Sequence, residues 1–255
     1  MRVDESSALD RALCLAREAA FPRGEFVGQE SFVSASEILS LAGRAGVAPG
    51  VHVLDLCCGV GGPGLFITRE LGCAYLGVDA SAHAVARARQ RAAELELDAR
   101  FEVARVPPLP RGRFEVVLLL ETMLAFRDKR NLLREISSVL PMGGRFAFTV
   151  EEGQPLTEAE RDVMPGSDTV WLTTLPDLLT DLELAGLQVR WRGESGTAHR
   201  ATVDALVGAY SAAELGGGPG RDTLDNLVTS HRLWSQWLQE GRVRKFAMIA
   251  ERASA

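Results

Sequence analysis

The chain has 255 residues, 46% of them hydrophobic, and a formal net charge of −6. That length bounds it to one large domain or one and a half, and the apolar fraction supplies a full core, which excludes disorder as the default. No run of Lys and Arg offsets the acidic balance, so a nucleic-acid groove is not indicated, and Arg87, Arg89 and Arg91 read as the solvated face of a helix.

Asp4 to Ala20 reads as a helix, with Leu9, Leu13 and Ala16 at helical spacing. FPRGEF breaks it at Phe21, and a second helix is expected from Ser31 to Ala45. Residues 1–50 therefore form a largely helical segment, placed to fold as a lid over a site later in the chain. Gly28 and Gln29, at the break, are candidates either for touching a ligand or for plain packing.

Val53 to Gly64, VLDLCCGVGGPG, organises the rest of the chain. His52 to Leu56 is a buried strand with Asp55 near its carboxyl end. Gly59, Gly61 and Gly62 let the backbone turn tightly and admit a ligand. Pro63 suits a first helical position, where its missing N–H is no loss. Strand, glycine turn and helix start outline a nucleotide-cofactor site. Ala74 to Val78 is the next strand and runs into Asp79, an acid at the spacing that reaches a ribose hydroxyl pair. Ser81 caps the helix that runs from Ala82 to Leu95.

Ala99 to Val103 is a short third strand, followed by the rigid loop VPPLP. Phe114 to Leu120, FEVVLLL, is a nearly continuous apolar run, which suits a central strand covered on both faces. Glu121 and Thr122 stand at its end. Lys129 to Leu140 is a helix, and Arg145 to Val150 a fifth strand. Glu151 to Val170 reads as irregular. Leu175 to Ala185 is a helix stopped by Gly186, Leu187 to Arg192 a sixth strand, and Lys245 to Ala250 a last one. Between these two strands lie a helix from Ala198 to about Leu215, a break at GGGPG, and a helix capped by Asp222 running to Gln239. Alternating strands and helices give a parallel sheet with right-handed crossovers.

Cysteines 14, 57, 58 and 73 form neither a disulfide framework nor a metal pattern, so a reducing compartment and no metal are expected. MRVDESSALD carries acids where a secretory leader needs basic and then apolar residues, and no apolar run approaches membrane-spanning length. A soluble cytoplasmic protein is expected, without membrane or nucleic-acid partners.

VLDLCCGVGG, LGVDAS, FEVVLLLETM, LPMGGRFAF and KFAMIAER together resemble the class I S-adenosylmethionine-dependent methyltransferases, and LTDLELAGLQV fits less specifically. The resemblance covers about Val51 to Ala250. It implies a single Rossmann-like α/β domain over residues 1–255, with a doubly wound seven-stranded sheet of order 3-2-1-4-5-7-6 and an antiparallel last strand. The cofactor core would take residues 51–193 and 242–255, with a helical lid at 1–50 and a substrate lid at 194–241. The literal GxGxxG of Gly59, Gly61 and Gly64 leaves an NAD(P)-dependent oxidoreductase as an alternative. Asp55 before the turn speaks against it. A second alternative is a methyltransferase fold repurposed for binding or for a non-methylating reaction.

Carried over by position, S-adenosylmethionine would meet Asp55, Cys57, Cys58, Gly59 and Gly61 at the turn. Asp79 would accept both ribose hydroxyls, Ala80 and Val106 would lie by the adenine, and Leu120 and Glu121 would flank the methionine, with Gln29 reaching in from the lid. Cys57 stands where the family has its first glycine, so the backbone there is expected not to need a glycine-only conformation. The loop after the third strand lacks the acid that often meets adenine. The reaction implied is in-line methyl transfer to a small organic metabolite, at oxygen, nitrogen or carbon, by a monomer or homodimer. His199 and His231, on apolar helical stripes of the insertion, are the candidate bases, with Glu121 and Glu152 as further ones. Phe26, Trp171, Tyr210, Trp234 and Trp237 are candidates for an aromatic substrate pocket, or for core packing.

Overall fold

The computed structural model describes residues 5–213 and 219–253, with side chains described for 8–213 and 220–253. The elements run α1 (Glu5–Ala20), α2 (Ala35–Ala45), β1 (His52–Leu56), α3 (Gly62–Leu71), β2 (Ala74–Asp79), α4 (Ala82–Glu94), β3 (Ala99–Val103), β4 (Val116–Leu119), α5 (Lys129–Val139), β5 (Arg145–Gly153), α6 (Glu158–Val163), α7 (Leu175–Leu184), β6 (Leu187–Glu194), α8 (Gly196–Ala212), α9 (Pro219–Gln239) and β7 (Val243–Arg252). The strands form one sheet of order β3-β2-β1-β4-β5-β7-β6. β7 runs antiparallel to both β5 and β6, and the other neighbours are parallel. This is the expected topology, including the direction of the last strand.

Local chemistry sets the helix ends. Ser34 and Glu37 make a reciprocal capping box on α2, which ends at Gly46 in the left-handed region. Ser81, Asp128 and Thr174 cap α4, α5 and α7 through their side-chain oxygens. Pro63 sits in the first turn of α3, as its sequence position suggests.

Strand residues alternate between two cores. Leu54, Leu56, Phe146 and Phe148 join Leu132, Ile136, Leu178 and Leu182 from α5 and α7. Val53 and Ala147 face Ile38, Leu41, Val85 and Ala88 from α2 and α4. All four residues of β4 are buried, the mark of a central strand covered on both faces.

The structure departs from the sequence reading at several ends. β5 continues to Gly153, because pairing with β7 carries it past Val150 through Thr149↔Ala247, Glu151↔Lys245 and Gly153↔Val243. The stretch after it, expected to be irregular, holds α6, closed by a capping box of Thr157 and Glu160. Asp222 lies in the first turn of α9 and not at its cap. The GGGPG break falls largely outside the described residues. No described helix is long and apolar enough to cross a membrane.

Candidate active site

The turn after β1 is held by β2. Cys58 N–H donates to Val78 O at 3.1 Å, and Gly61 N–H to Cys58 O at 3.0 Å. Asp79 fixes it from the side: Oδ2 accepts from Gly59 N–H at 3.0 Å and Oδ1 from Ser81 N–H at 2.8 Å. Each oxygen keeps a further lone pair for a ligand hydroxyl. Cys57 corrects one expectation. Its φ is 58°, in the left-handed region that favours glycine, so this cysteine occupies a conformation that the family's glycine adopts freely.

Asp55 is buried and accepts from Tyr75 O–H at 2.6 Å. Burial pushes its carboxyl up to about 7, against the opposing effect of that hydrogen bond. Gly64 makes the contact possible, since a Cβ there would collide with the Tyr75 ring and hydroxyl.

The segment before α2 folds onto the turn. A Cβ on Gly62 would strike the Gly28 carbonyl, so chain lies directly on the start of α3. Arg91 of α4 ties the two together, donating from Nη1 to Val60 O at 3.1 Å and from Nη2 to Val27 O at 3.3 Å. Gln29 is almost wholly buried and spends its amide on the segment itself, bonding Val27 N–H, Glu25 O and Val33 O. It shapes this segment and does not line the cleft beneath it. That cleft, about 300 Å³, is lined by Gly28, Glu30, Ser31, Phe32, Asp55, the Cys57–Val60 turn, Asp79, Leu120, Glu121 and Thr122, with Gly62 and Pro63. Gly61, Ala80 and Val106 lie outside this lining: a Cβ on Gly61 would meet Phe101 and Ala88, Ala80 is exposed, and Val106 packs against one of the two cores.

Glu121 is the most constrained residue here. Its φ is 59°. Its N–H donates to Thr149 Oγ1 at 2.7 Å, and its Oε2 accepts from Phe32 N–H at 3.0 Å. Its Oε1 is in contact with the Lys245 ammonium, which also donates to Glu151 Oε1 at 2.7 Å. His199 completes the group, with Nε2 3.7 Å from Glu151 Oε1 and no hydrogen-bond partner. Burial disfavours charge throughout the group, pushing His199 down to about 3, Glu151 up and Lys245 down, while the contact of Lys245 with both carboxylates opposes this and favours the charged pair. Glu121, Glu151 and His199 lie close enough to ligate an ion. Lys245 already holds the cationic position between the two carboxylates.

His231 stands beside this group but outside it. Its ring and that of His199 both meet Phe32 edge-on, at centroid distances of 5.1 and 5.0 Å. Burial lowers His231 to about 4. The five aromatic candidates do not converge on one pocket. Trp234 and Trp237 pack on each other in a core cluster with Val203 and Val243. Tyr210 is buried in another and accepts from Arg17 Nε at 3.1 Å. Phe26 lies against Phe21, and the Arg127 and Arg161 guanidinium groups each lie 4.8 Å from the Trp171 ring centroid. For Trp234, Trp237 and Tyr210, core packing is the reading the structure supports. Glu152 caps the start of α7 through Leu175 N–H and pairs with Arg244, away from the cleft lining.

Lys245, Glu151 and Thr149 belong to the site without standing out in the sequence. Lys245 opens an apolar run and reads there only as a strand start, while Glu151 comes after the expected end of a strand. The available signal is the acid pair after TV in RFAFTVEEG, facing the one lysine of the last strand.

Residues 53–144 match the family model described as a methyltransferase domain. Over 109 residues the chain is 35% identical to Methyltransferase GfsG of Streptomyces halstedii, covering 41% of this chain and 39% of that protein. It is 31% identical over 157 residues to the 27-O-demethylrifamycin SV methyltransferase of Amycolatopsis mediterranei, covering 58% of each. The chain thus spans less than two thirds of either relative. Among solved structures it is similar in fold to the [4+2]-cyclase SpnF, with a TM-score of 0.78 over 98% of this chain and 96% of that one at 17% identity.

Proposed function

We propose, on the premise that this chain carries a class I S-adenosylmethionine-dependent methyltransferase domain, that it transfers a methyl group to a small organic molecule. The observation that carries the reading is the charge of the cleft. Asp79, with no ion-pair partner among the described residues, lines it together with Asp55 and with Glu30 and Glu121, which Arg17 and Lys245 pair from outside the lining, and no Lys or Arg lines it among the described residues. Such walls suit a cation and repel a pyrophosphate, so they favour a sulfonium over a dinucleotide. The cleft also holds a polar atom without a partner: Ser31 Oγ is buried and makes no hydrogen bond.

When bound, S-adenosylmethionine supplies an electrophilic methyl on a positively charged sulfur. The chain's own residues then bind and orient. Asp79 is held rigid by two backbone N–H groups and accepts the ribose hydroxyls. The Cys57–Gly59 backbone and the start of α3 offer N–H donors to the methionine end. Leu120 and Glu121 form the wall at the reacting end. Gly28, Glu30, Ser31 and Phe32, from the segment over Gly62, wall one side of the cleft and reduce its contact with water, which strengthens electrostatic contacts inside. Holding two reactants in line contributes on the order of 7–11 kcal/mol.

Calorimetric titration with S-adenosylmethionine, S-adenosylhomocysteine and NAD(H) tests this. Binding of the two sulfur compounds without NAD(H) is expected. Binding of NAD(H) alone would return the glycine turn to its dinucleotide meaning and overturn the reading.

A further inference from the structure

Glu121 belongs to two cavities. Besides the cofactor cleft it lines a second space of about 440 Å³ between α2 and the β6–β7 edge. Trp191 gives that space a flat wall. Its ring lies under the Arg44 guanidinium, 4.5 Å from the centroid, and Gly193 leaves room for it, since a Cβ there would come within 2.8 Å of the ring. Val33, Leu41 and Ala247 add apolar surface. At the inner end stand Glu121, Lys245 and His199, their side chains 6%, 3% and 3% exposed. His199 Nε2 lacks a partner there, and a buried nitrogen without one marks a place for a missing hydrogen-bonding group. The Lys245 charge is spent on two carboxylates. The remaining charged lining residues, Glu37 and Glu194, are acids.

We propose that this second cavity takes the methyl acceptor, a flat apolar molecule without an anionic group, whose O–H or N–H points at Glu121 and His199. The inference rests on the methyl-transfer reading. Phe32 N–H and Lys245 fix the Glu121 carboxylate, and its remaining lone pairs receive the acceptor's proton. As the acceptor's oxygen or nitrogen forms its new bond to carbon, that proton passes to Glu121. The electron pair of the broken carbon–sulfur bond stays on sulfur. His199, kept neutral by burial, accepts or donates a hydrogen bond that orients the acceptor.

The test uses three probes of one shape: 1-naphthol, 1-naphthylmethylamine and 1-naphthoate. Each is titrated calorimetrically into the full chain saturated with S-adenosylhomocysteine, and into two variants. Ser40→Trp fills the cavity from the exposed face of α2, and Glu121→Gln keeps the shape of the inner wall without its charge. The hydroxyl or the amine probe is expected to bind at least tenfold more tightly than the carboxylate. Ser40→Trp is expected to weaken that probe at least tenfold while leaving S-adenosylhomocysteine affinity unchanged, and Glu121→Gln to weaken it at least fivefold. Equal or tighter binding of 1-naphthoate, no binding of the other two, or indifference to either substitution would overturn the proposal. S-adenosylhomocysteine binding by the wild type separates the cases: with it, only this inference fails; without it, the methyl-transfer reading fails first.

Discussion

Cys57 shows how much one residue's backbone carries. Its positive φ costs a side chain of this kind about 1–3 kcal/mol, which surrounding structure must offset. Cys57→Gly is expected to keep S-adenosylhomocysteine affinity and to leave stability within about 1 kcal/mol, because relief of strain offsets lost packing. Cys57→Val, branched at Cβ, is expected to lose at least about 1 kcal/mol more than the glycine variant in urea unfolding. Asp79 was legible in the sequence because spacing alone puts an acid at the end of β2. Asp79→Ala is expected to weaken S-adenosylhomocysteine by about 1.5–3 kcal/mol, roughly ten- to hundredfold in Kd, read by calorimetry. Unchanged affinity would remove Asp79 from the ribose. Lys245 was not legible, since its meaning depends on two carboxylates from other strands. Lys245→Met leaves Glu121 and Glu151 facing each other without a cation, and a loss of about 3–5 kcal/mol in stability is expected. A loss below about 1 kcal/mol would mean that the two carboxyls share a proton at little cost.

Among elements, the most legible were those whose pattern is local. β1, β3 and the Gly186 stop after α7 come from apolar runs and breakers. The length of β5 was hidden because its last residues are acids, and only the pairing with β7 buries them. The candidate site divides the same way. Its turn is written in consecutive residues, whereas the fit of the 27–32 segment over α3 depends on contacts between Gly28, Gly62 and Arg91 that no single stretch encodes. Arg91 is the tie between these elements, with two bonds to carbonyl oxygens on different segments. Arg91→Ala is therefore expected to speed amide hydrogen exchange across residues 27–32 while β1 and β4 keep their protection. Unchanged exchange there would show that packing of Gly28 on Gly62 holds the segment unaided.

At the scale of the molecule, buried titratable groups pull stability in opposite directions. Asp55 is raised to about 7 from 3.8, so between those values the native state keeps a proton that the unfolded chain has lost. Its contribution is complete in acid and fades as pH rises through 7. His231 is lowered to about 4 from 6.5, so in that interval the unfolded chain holds a proton that the native state lacks. Its contribution is complete above 6.5 and fades as pH falls through 4. Around pH 5 the two slopes are opposite, each about 1.4 kcal/mol per pH unit at most, and nearly cancel. Single substitutions should expose them. Asp55→Asn removes the term that favours acid, so its stability is expected to rise with pH between 4.5 and 6 more steeply than that of the wild type. His231→Gln removes the opposing term, so its curve over the same interval is expected to tilt toward greater stability in acid. Urea unfolding of all three proteins at several pH values reads the slopes directly. If both variants ran parallel to the wild type, neither group would change its protonation on unfolding, and the burial that sets both shifts would have to be given up as their cause.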